Sequence, residues 1–114
     1  MEQKPTLEVY SKNRCVQCDA TTRLLDKNGL IAGEDYQKIN VEENPDALEF
    51  LTESGYKQVP VGILRHAPEK DGETGEEILA WAGFRPEQIK EATRIILQGV
   101  GISSPAAMPQ QAQN

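Results

Sequence analysis

Apolar and polar residues alternate over Thr6-Leu7-Glu8-Val9-Tyr10, the period-two pattern of a half-buried strand. A polar loop follows, Ser11 to Arg14, and the spacing of apolar positions then changes to that of a helix, from about Cys15 to Asn28. Its expected inward row is Val16, Ala20, Leu24 and Asn28 or Leu25, with Gly29 as the helix stop. Tyr36 to Val41 reads as a second strand that ends near Asn40. Asn44-Pro45 then predicts a helix start: Asn as N-cap, Pro at the first helical position, and Asp46 in the positive first turn. That helix should turn Ala47, Leu48 and Leu51 inward and end around Ser54-Gly55. Val61 to Leu64 and Glu77 to Trp81 read as a third and a fourth strand, joined by a hydrophilic hairpin loop from His66 to Glu76. Pro86 opens a last helix with Ile89, Ala92 or Thr93, and Ile96 on one face, fading near Gln98-Gly99.

The order β-α-β-α-β-β-α predicts a small α/β domain with a mixed sheet, whose first crossover makes a parallel strand pair. One domain is expected over residues 1–100, with the His66–Glu76 segment as a polar hairpin insert. Residues 101–114, rich in Ser, Pro, Ala and Gln, read as a disordered tail. Composition adds exclusions. The 114 residues are enough for a core without disulfide staples. A formal charge of −6 argues against a nucleic-acid partner, because phosphate binding needs clustered Lys and Arg. No run approaches the roughly 18 apolar residues of a membrane span, and Met1 to Pro5 carry no apolar signal-peptide region. A cytoplasmic monomer is the expectation.

Chemistry enters with the only cysteines, Cys15 and Cys18, spaced two residues apart where a strand hands over to a helix. Two thiols within one helical turn can form a redox couple that closes and reopens without unfolding the domain. The attacking species is the thiolate, and a free cysteine of pKa about 8.5 is only slightly ionised at neutral pH. Cys15, at the helix start, would face unpaired backbone N–H groups and the positive end of the dipole, with Lys12 and Arg14 adding charge. Cys18 lies one turn further in and is a poorer first nucleophile. The expected roles are therefore attack by Cys15 and resolution by Cys18. Asp19 is either an electrostatic modulator of the pair or a solvated helix-surface residue. Two other readings stay open at this point. A structural zinc site needs about four ligands, and only His66 joins the two cysteines. Two inert, buried thiols are the other.

Cys15-Val16-Gln17-Cys18 following Val9-Tyr10-Ser11-Lys12 resembles the glutaredoxin-like group, and the Val16-Gln17 pair is typical of the NrdH-redoxins. Two further segments match in order. Gln58-Val59-Pro60 stands where thioredoxin-fold proteins carry a cis-proline beside the active cysteines. Trp81-Ala82-Gly83-Phe84-Arg85-Pro86-Glu87 is similar to the family's Trp-Ser-Gly-Phe-Arg-Pro-acidic motif. The resemblance covers about residues 6 to 97. It implies a thioredoxin fold: β-α-β-α-β-β-α, a four-stranded mixed sheet flanked by helices. It also implies thioredoxin-like activity, with electrons taken from thioredoxin reductase and delivered to class Ib ribonucleotide reductase. The redox-active disulfide Cys15–Cys18 is then the whole cofactor inventory, NADPH and FAD belonging to the reductase. The expected substrate- or partner-binding residues are Lys12, Val16, Gln17, Val59, Pro60, Trp81, Gly83, Phe84 and Arg85. The Gly-Gly and following acidic residue with which glutaredoxins hold glutathione are absent near Trp81.

The sequence departs from the family pattern in three places: Ala82 for the usual Ser, the long hairpin insert, and the polar tail. Rival functions are a glutathione-dependent glutaredoxin and a redox-sensing, arsenate-reductase-like regulator on the same fold. Individual residues have plainer readings too. Trp81 to Phe84 could be a packed strand end and turn, Val59-Pro60 an ordinary trans bond opening an edge strand, and Arg85 a bridge between helix ends. His66 and the Glu42-Glu43 pair read as solvated, and Tyr10 as strand-end packing.

Overall fold

Strand residues alternate between two apolar layers, and that alternation fixes where the helices sit. The computed structural model describes residues 5–68 and 74–98. Its elements follow the predicted order: β1 (Thr6–Ser11), α1 (Val16–Lys27), β2 (Tyr36–Asn40), α2 (Pro45–Glu53), β3 (Val61–Arg65), β4 (Glu77–Ala82) and α3 (Pro86–Gln98). The sheet runs β2-β1-β3-β4. β1 pairs parallel with β2, as the α1 crossover requires, and antiparallel with β3, which pairs antiparallel with β4. Leu7, Val9, Leu64 and Trp81 form one core with Leu25 of α1 and Ile89, Ala92 and Ile96 of α3. Tyr10, Val61 and Ile63 form a second core with Val41 and with Leu51 of α2. Both sheet faces are covered, which is the mixed α/β architecture expected from the element order.

Two of the expected inward positions point outward. Val16 is 83% exposed and Leu48 51% exposed. The buried row of α1 is Cys18, Thr21 and Leu25, which turns the helix so that Val16 stands on its outer surface at the first turn. In α2 the inward residue is Leu51, with Ala47 and Phe50 packed beside it, so the stripe is narrower than the run of apolar residues suggested.

The helix stops are chemical. After α1, Gly29 at φ 99° donates its N–H to Asp26 O at 3.0 Å, and Leu30 donates to Leu25 O at 3.1 Å. After α2, Gly55 at φ 92° and Tyr56 repeat the arrangement on Thr52 O and Leu51 O. Both are Schellman closures, in which a left-handed residue that glycine adopts freely lets the chain satisfy the last carbonyls.

The hairpin pairing continues beyond the fourth strand's start. The His66 N–H donates to Glu76 O at 2.9 Å, and Arg65 Nη1 donates to Gly75 O at 3.2 Å. These two bonds close the base of the expected polar loop, whose described residues 66–68 and 74–76 lie outside both strands. The loop's centre, residues 69–73, and the expected tail lie outside the described residues. No described helix is long and apolar enough to cross a membrane.

Candidate functional site

Cys15 is the N-cap of α1, in extended conformation at φ −119° and ψ 103°. Its Sγ accepts a hydrogen bond from the Cys18 backbone N–H at 3.1 Å, one of the donors that a helix start leaves without an intrahelical partner. Sulfur thus occupies the place that a Ser or Asp oxygen fills at an ordinary N-cap. The two cysteines form a disulfide across one turn, with Cα atoms 5.2 Å apart. They differ in access: Cys15 is 8% exposed and Cys18 0%. A donor aimed at Cys15 and the nearby positive end of the helix both favour a negative charge on that sulfur.

The loop that delivers Cys15 to this position is unusual. Arg14 has φ 57°, the left-handed region, which costs a residue with a Cβ about 1–2 kcal/mol. Against that cost stand side-chain bonds on the preceding residue. Asn13 Nδ2 donates to Glu42 Oε1 at 2.6 Å, and Asn40 Nδ2 donates to Asn13 Oδ1 at 3.0 Å. Asn40 is itself fixed, since its Oδ1 accepts the Glu42 N–H at 2.8 Å and its carbonyl accepts Asn44 Nδ2 at 2.9 Å. Asn44 is the N-cap residue of α2 as predicted, but its side chain makes this bond instead of a capping one. Asp19 meets Lys38 Nζ of β2 at 3.6 Å, an exposed pair that steadies the first turn of α1 only weakly.

Pro60 and the segment after β4 come to the same end of the sheet. The pairing of Tyr10 with Val61 sets Pro60 level with the end of β1, and the Val59–Pro60 bond is cis. The Gly83 N–H donates to Pro60 O at 2.7 Å, and the Gly83 Cα side faces Gln17, whose Oε1 would stand 3.9 Å from a Cβ there. Gln17, Pro60 and Gly83 are therefore neighbours, drawn from α1, the start of β3 and the end of β4. Val59 lines a groove of about 350 Å³ with Lys12, Leu48, Tyr56 and Lys57, an apolar floor with two ammonium groups beside it. Val16 and Phe84 are exposed apolar residues, and Arg85 is exposed and paired with Glu87 at 3.0 Å. That neighbour helps hold the Glu87 carboxyl below its usual range, after the larger effect of its own backbone N–H.

Trp81 is different from the other expected partner-binding residues. It is 4% exposed, within the core of α1 and α3, and its ring lies over Gly62, where any Cβ would overlap the indole. Little of the ring is left for a partner to touch, and packing is its observed role. The packed-strand-end reading describes Trp81 better than it describes Gly83 or Phe84. Tyr10 also does more than pack: its hydroxyl donates to Glu8 Oε1 at 2.8 Å, and Arg65 Nε donates to the same oxygen at 3.2 Å.

Among the described residues no cluster of three or more His, Cys, Asp or Glu side chains is placed to hold a metal ion. The Asn13–Asn40–Glu42 grip and Gly62 are the features that sequence reading missed. Asn13 sits in a loop marked only as polar, and its partners lie 27 and 29 residues away.

The glutaredoxin family model matches residues 7–62. The glutaredoxin-like protein NrdH of Escherichia coli K12 is 37% identical over 83 residues, 73% of this chain and 83% of that one. The solved structure of Escherichia coli NrdH-redoxin, a glutaredoxin-like protein with a thioredoxin-like activity profile, superposes with a TM-score of 0.58. The identity is 36%, over 75% of this chain and 92% of that one. Spinach chloroplast thioredoxin f, 16% identical, reaches a TM-score of 0.59 over 85% of this chain and 80% of its own. That distant likeness bears on the fold alone, and the fold is the thioredoxin fold.

Proposed function

This chain belongs to the NrdH group of glutaredoxin-like proteins, with a redox-active Cys15–Cys18 disulfide, and from there we propose that it carries electrons from a thioredoxin reductase to class Ib ribonucleotide reductase. The observation that supports this most is the asymmetry of the pair. Cys15 is the more accessible sulfur and the one that accepts a helix N–H, while Cys18 is enclosed behind it.

In the proposed cycle the Cys15 thiolate attacks one sulfur of the target disulfide. A mixed disulfide forms, and the target's other sulfur leaves as a thiolate that takes up a proton. The Cys18 thiolate then attacks Cys15 Sγ, the mixed disulfide breaks, and the second target sulfur leaves as a thiol. Two electrons and two protons pass to the target, and Cys15–Cys18 is left oxidised. A thioredoxin reductase restores the dithiol at the expense of NADPH, through its own FAD. In this reading Val16, Gln17, Val59, Pro60, Gly83, Phe84 and Arg85 serve as the docking surface, and an extended target segment lies along Val59 into the groove beside Lys12. The proposed setting is the cytoplasm, where a dithiol carrier is kept reduced.

The test supplies NADPH and thioredoxin reductase and follows NADPH oxidation as a disulfide substrate is reduced. Turnover that needs this chain supports the proposal. Turnover supported only by glutathione and its reductase overturns it in favour of a glutaredoxin. Covalent capture with Cys18→Ser identifies the target: a trapped ribonucleotide reductase supports the assignment, and trapping of other proteins alone contradicts it.

A further inference from the structure

Proper placement of Cys15 depends on a conformation that its own loop would not choose. Arg14 stands at φ 57°, where an arginine rarely stays without restraint, and through this turn the chain leaves β1 and presents Cys15 extended at the head of α1. The restraint lies one residue earlier. We propose that Asn13 is a positioning residue for Cys15: clamped between Asn40 and Glu42, it holds the β1–α1 loop in the left-handed turn at Arg14 that seats Cys15 as N-cap.

Geometry carries the inference. Asn13 uses its amide in both senses, donating to Glu42 Oε1 at 2.6 Å and accepting from Asn40 Nδ2 at 3.0 Å, so rotation about its side chain breaks both bonds. Its partners are anchored independently of it. Asn40 ends β2, whose register with β1 pairs it with Ser11, and the Val41 N–H donates to Ser11 O at 2.8 Å. Asn40 also accepts the Glu42 N–H, which turns Glu42 toward the loop. The clamp thus joins the rigid end of a parallel strand pair to the residue before the strained one. On the far side, Cys15 Sγ receives the Cys18 N–H and Cys15 O receives the Asp19 N–H at 3.0 Å. Releasing Asn13 lets Arg14 return to negative φ, which rotates Cys15 away from those donors.

The inference rests on Cys15 being the attacking sulfur, and its test reads that sulfur directly. The charged groups near the loop are Lys12, Arg14, Glu42, and Asp19 with its Lys38 partner. Asn13→Ala removes none of these charges but frees the Glu42 carboxylate, whereas Asn40→Ala leaves the Asn13–Glu42 bond in place, so a shift shared by both variants reports position. The reduced full-length chain is alkylated with iodoacetamide across a pH series, and the modified cysteine is located by mass spectrometry. Asn13→Ala is expected to move the Cys15 midpoint upward by about half a pH unit or more, a roughly threefold loss of rate below the midpoint. Asn40→Ala, which removes the clamp from its other side, moves it the same way. In an Arg14→Gly background, where positive φ carries no penalty, the Asn13→Ala shift falls to less than about half of its size. An unchanged midpoint in both clamp variants overturns the proposal, even with a lowered melting temperature. So does a shift of equal size in the Arg14→Gly background. If the parent chain is alkylated first at Cys18, the failure lies instead with the assignment of Cys15 as nucleophile.

Discussion

Cys15 and Cys18 carry the same thiol into two different surroundings, and the difference between them is the first thing to test. Cys15 keeps slight exposure, 8%, and has a backbone N–H aimed at its sulfur, whereas Cys18 is fully enclosed. Cys15→Ser is therefore expected to abolish disulfide reduction by at least about a thousandfold, since no other sulfur reaches the target. Cys18→Ser should keep the first attack and accumulate a mixed disulfide, detected as a mass increase that dithiothreitol removes. Mixed disulfide in the Cys15→Ser chain would reverse the roles. At this scale the chemistry was legible because the spacing of two thiols is itself the reaction geometry. The Asn13 clamp was not legible, because its meaning depends on Asn40 and Glu42, which only the pairing of β1 with β2 brings beside it. Trp81 was misleading for a related reason. A tryptophan in a functional motif suggests a docking residue, and its burial becomes visible only once strand register places Gly62 beneath the ring.

Between elements, the row that pairs Val9 with Gly62 and Gly62 with Trp81 crosses β1, β3 and β4. Gly62 leaves the space that the indole fills, so Gly62→Val must displace the ring from the core shared with α1 and α3. A loss of about 2–3 kcal/mol in unfolding free energy is expected, measured by urea titration. A loss within about 0.5 kcal/mol of zero would show that the ring is not held there. Across β2 and α1, the Tyr36 hydroxyl donates to Asp26 Oδ1 at 2.6 Å. Burial first, and then that carboxylate, raise the Tyr36 hydroxyl above its ordinary pKa of 10.0. A folded-state pKa raised in this way gives stability that is complete below pH 10 and is lost as pH rises above it, because the unfolded tyrosine ionises first. Tyr36→Phe should cost about 1 kcal/mol at neutral pH and make the decline of the melting temperature above about pH 10 shallower. An equally steep decline would place its cause elsewhere, Tyr10 being the other tyrosine raised in the same way. Strand positions and helix caps were readable from alternation and from Asn44-Pro45, Gly29 and Gly55. Helix rotation was less so: a thiol and a threonine, Cys18 and Thr21, are buried in α1, while Val16, which a hydrophobicity pattern turns inward, stands outside and Leu24 packs at the core's edge.

For the molecule as a whole, the sheet delivers three separate chain segments to one end: the α1 start, the Val59-Pro60 turn and the Gly83 turn, the last two joined by the Gly83–Pro60 hydrogen bond. Sequence order alone carried much of this, because the β-α-β-α-β-β-α sequence with a parallel first pair admits few arrangements. Partner choice is not written in the fold, which is shared with thioredoxins at 16% identity. In the function proposed above, it is carried by the surface around Cys15. The most direct measurement is therefore the rate of NADPH oxidation by thioredoxin reductase with this chain as sole carrier and a class Ib ribonucleotide reductase as acceptor. The account predicts turnover that rises with carrier concentration and disappears in Cys15→Ser. No turnover with the reductase, alongside efficient turnover with glutathione and glutathione reductase, would contradict it.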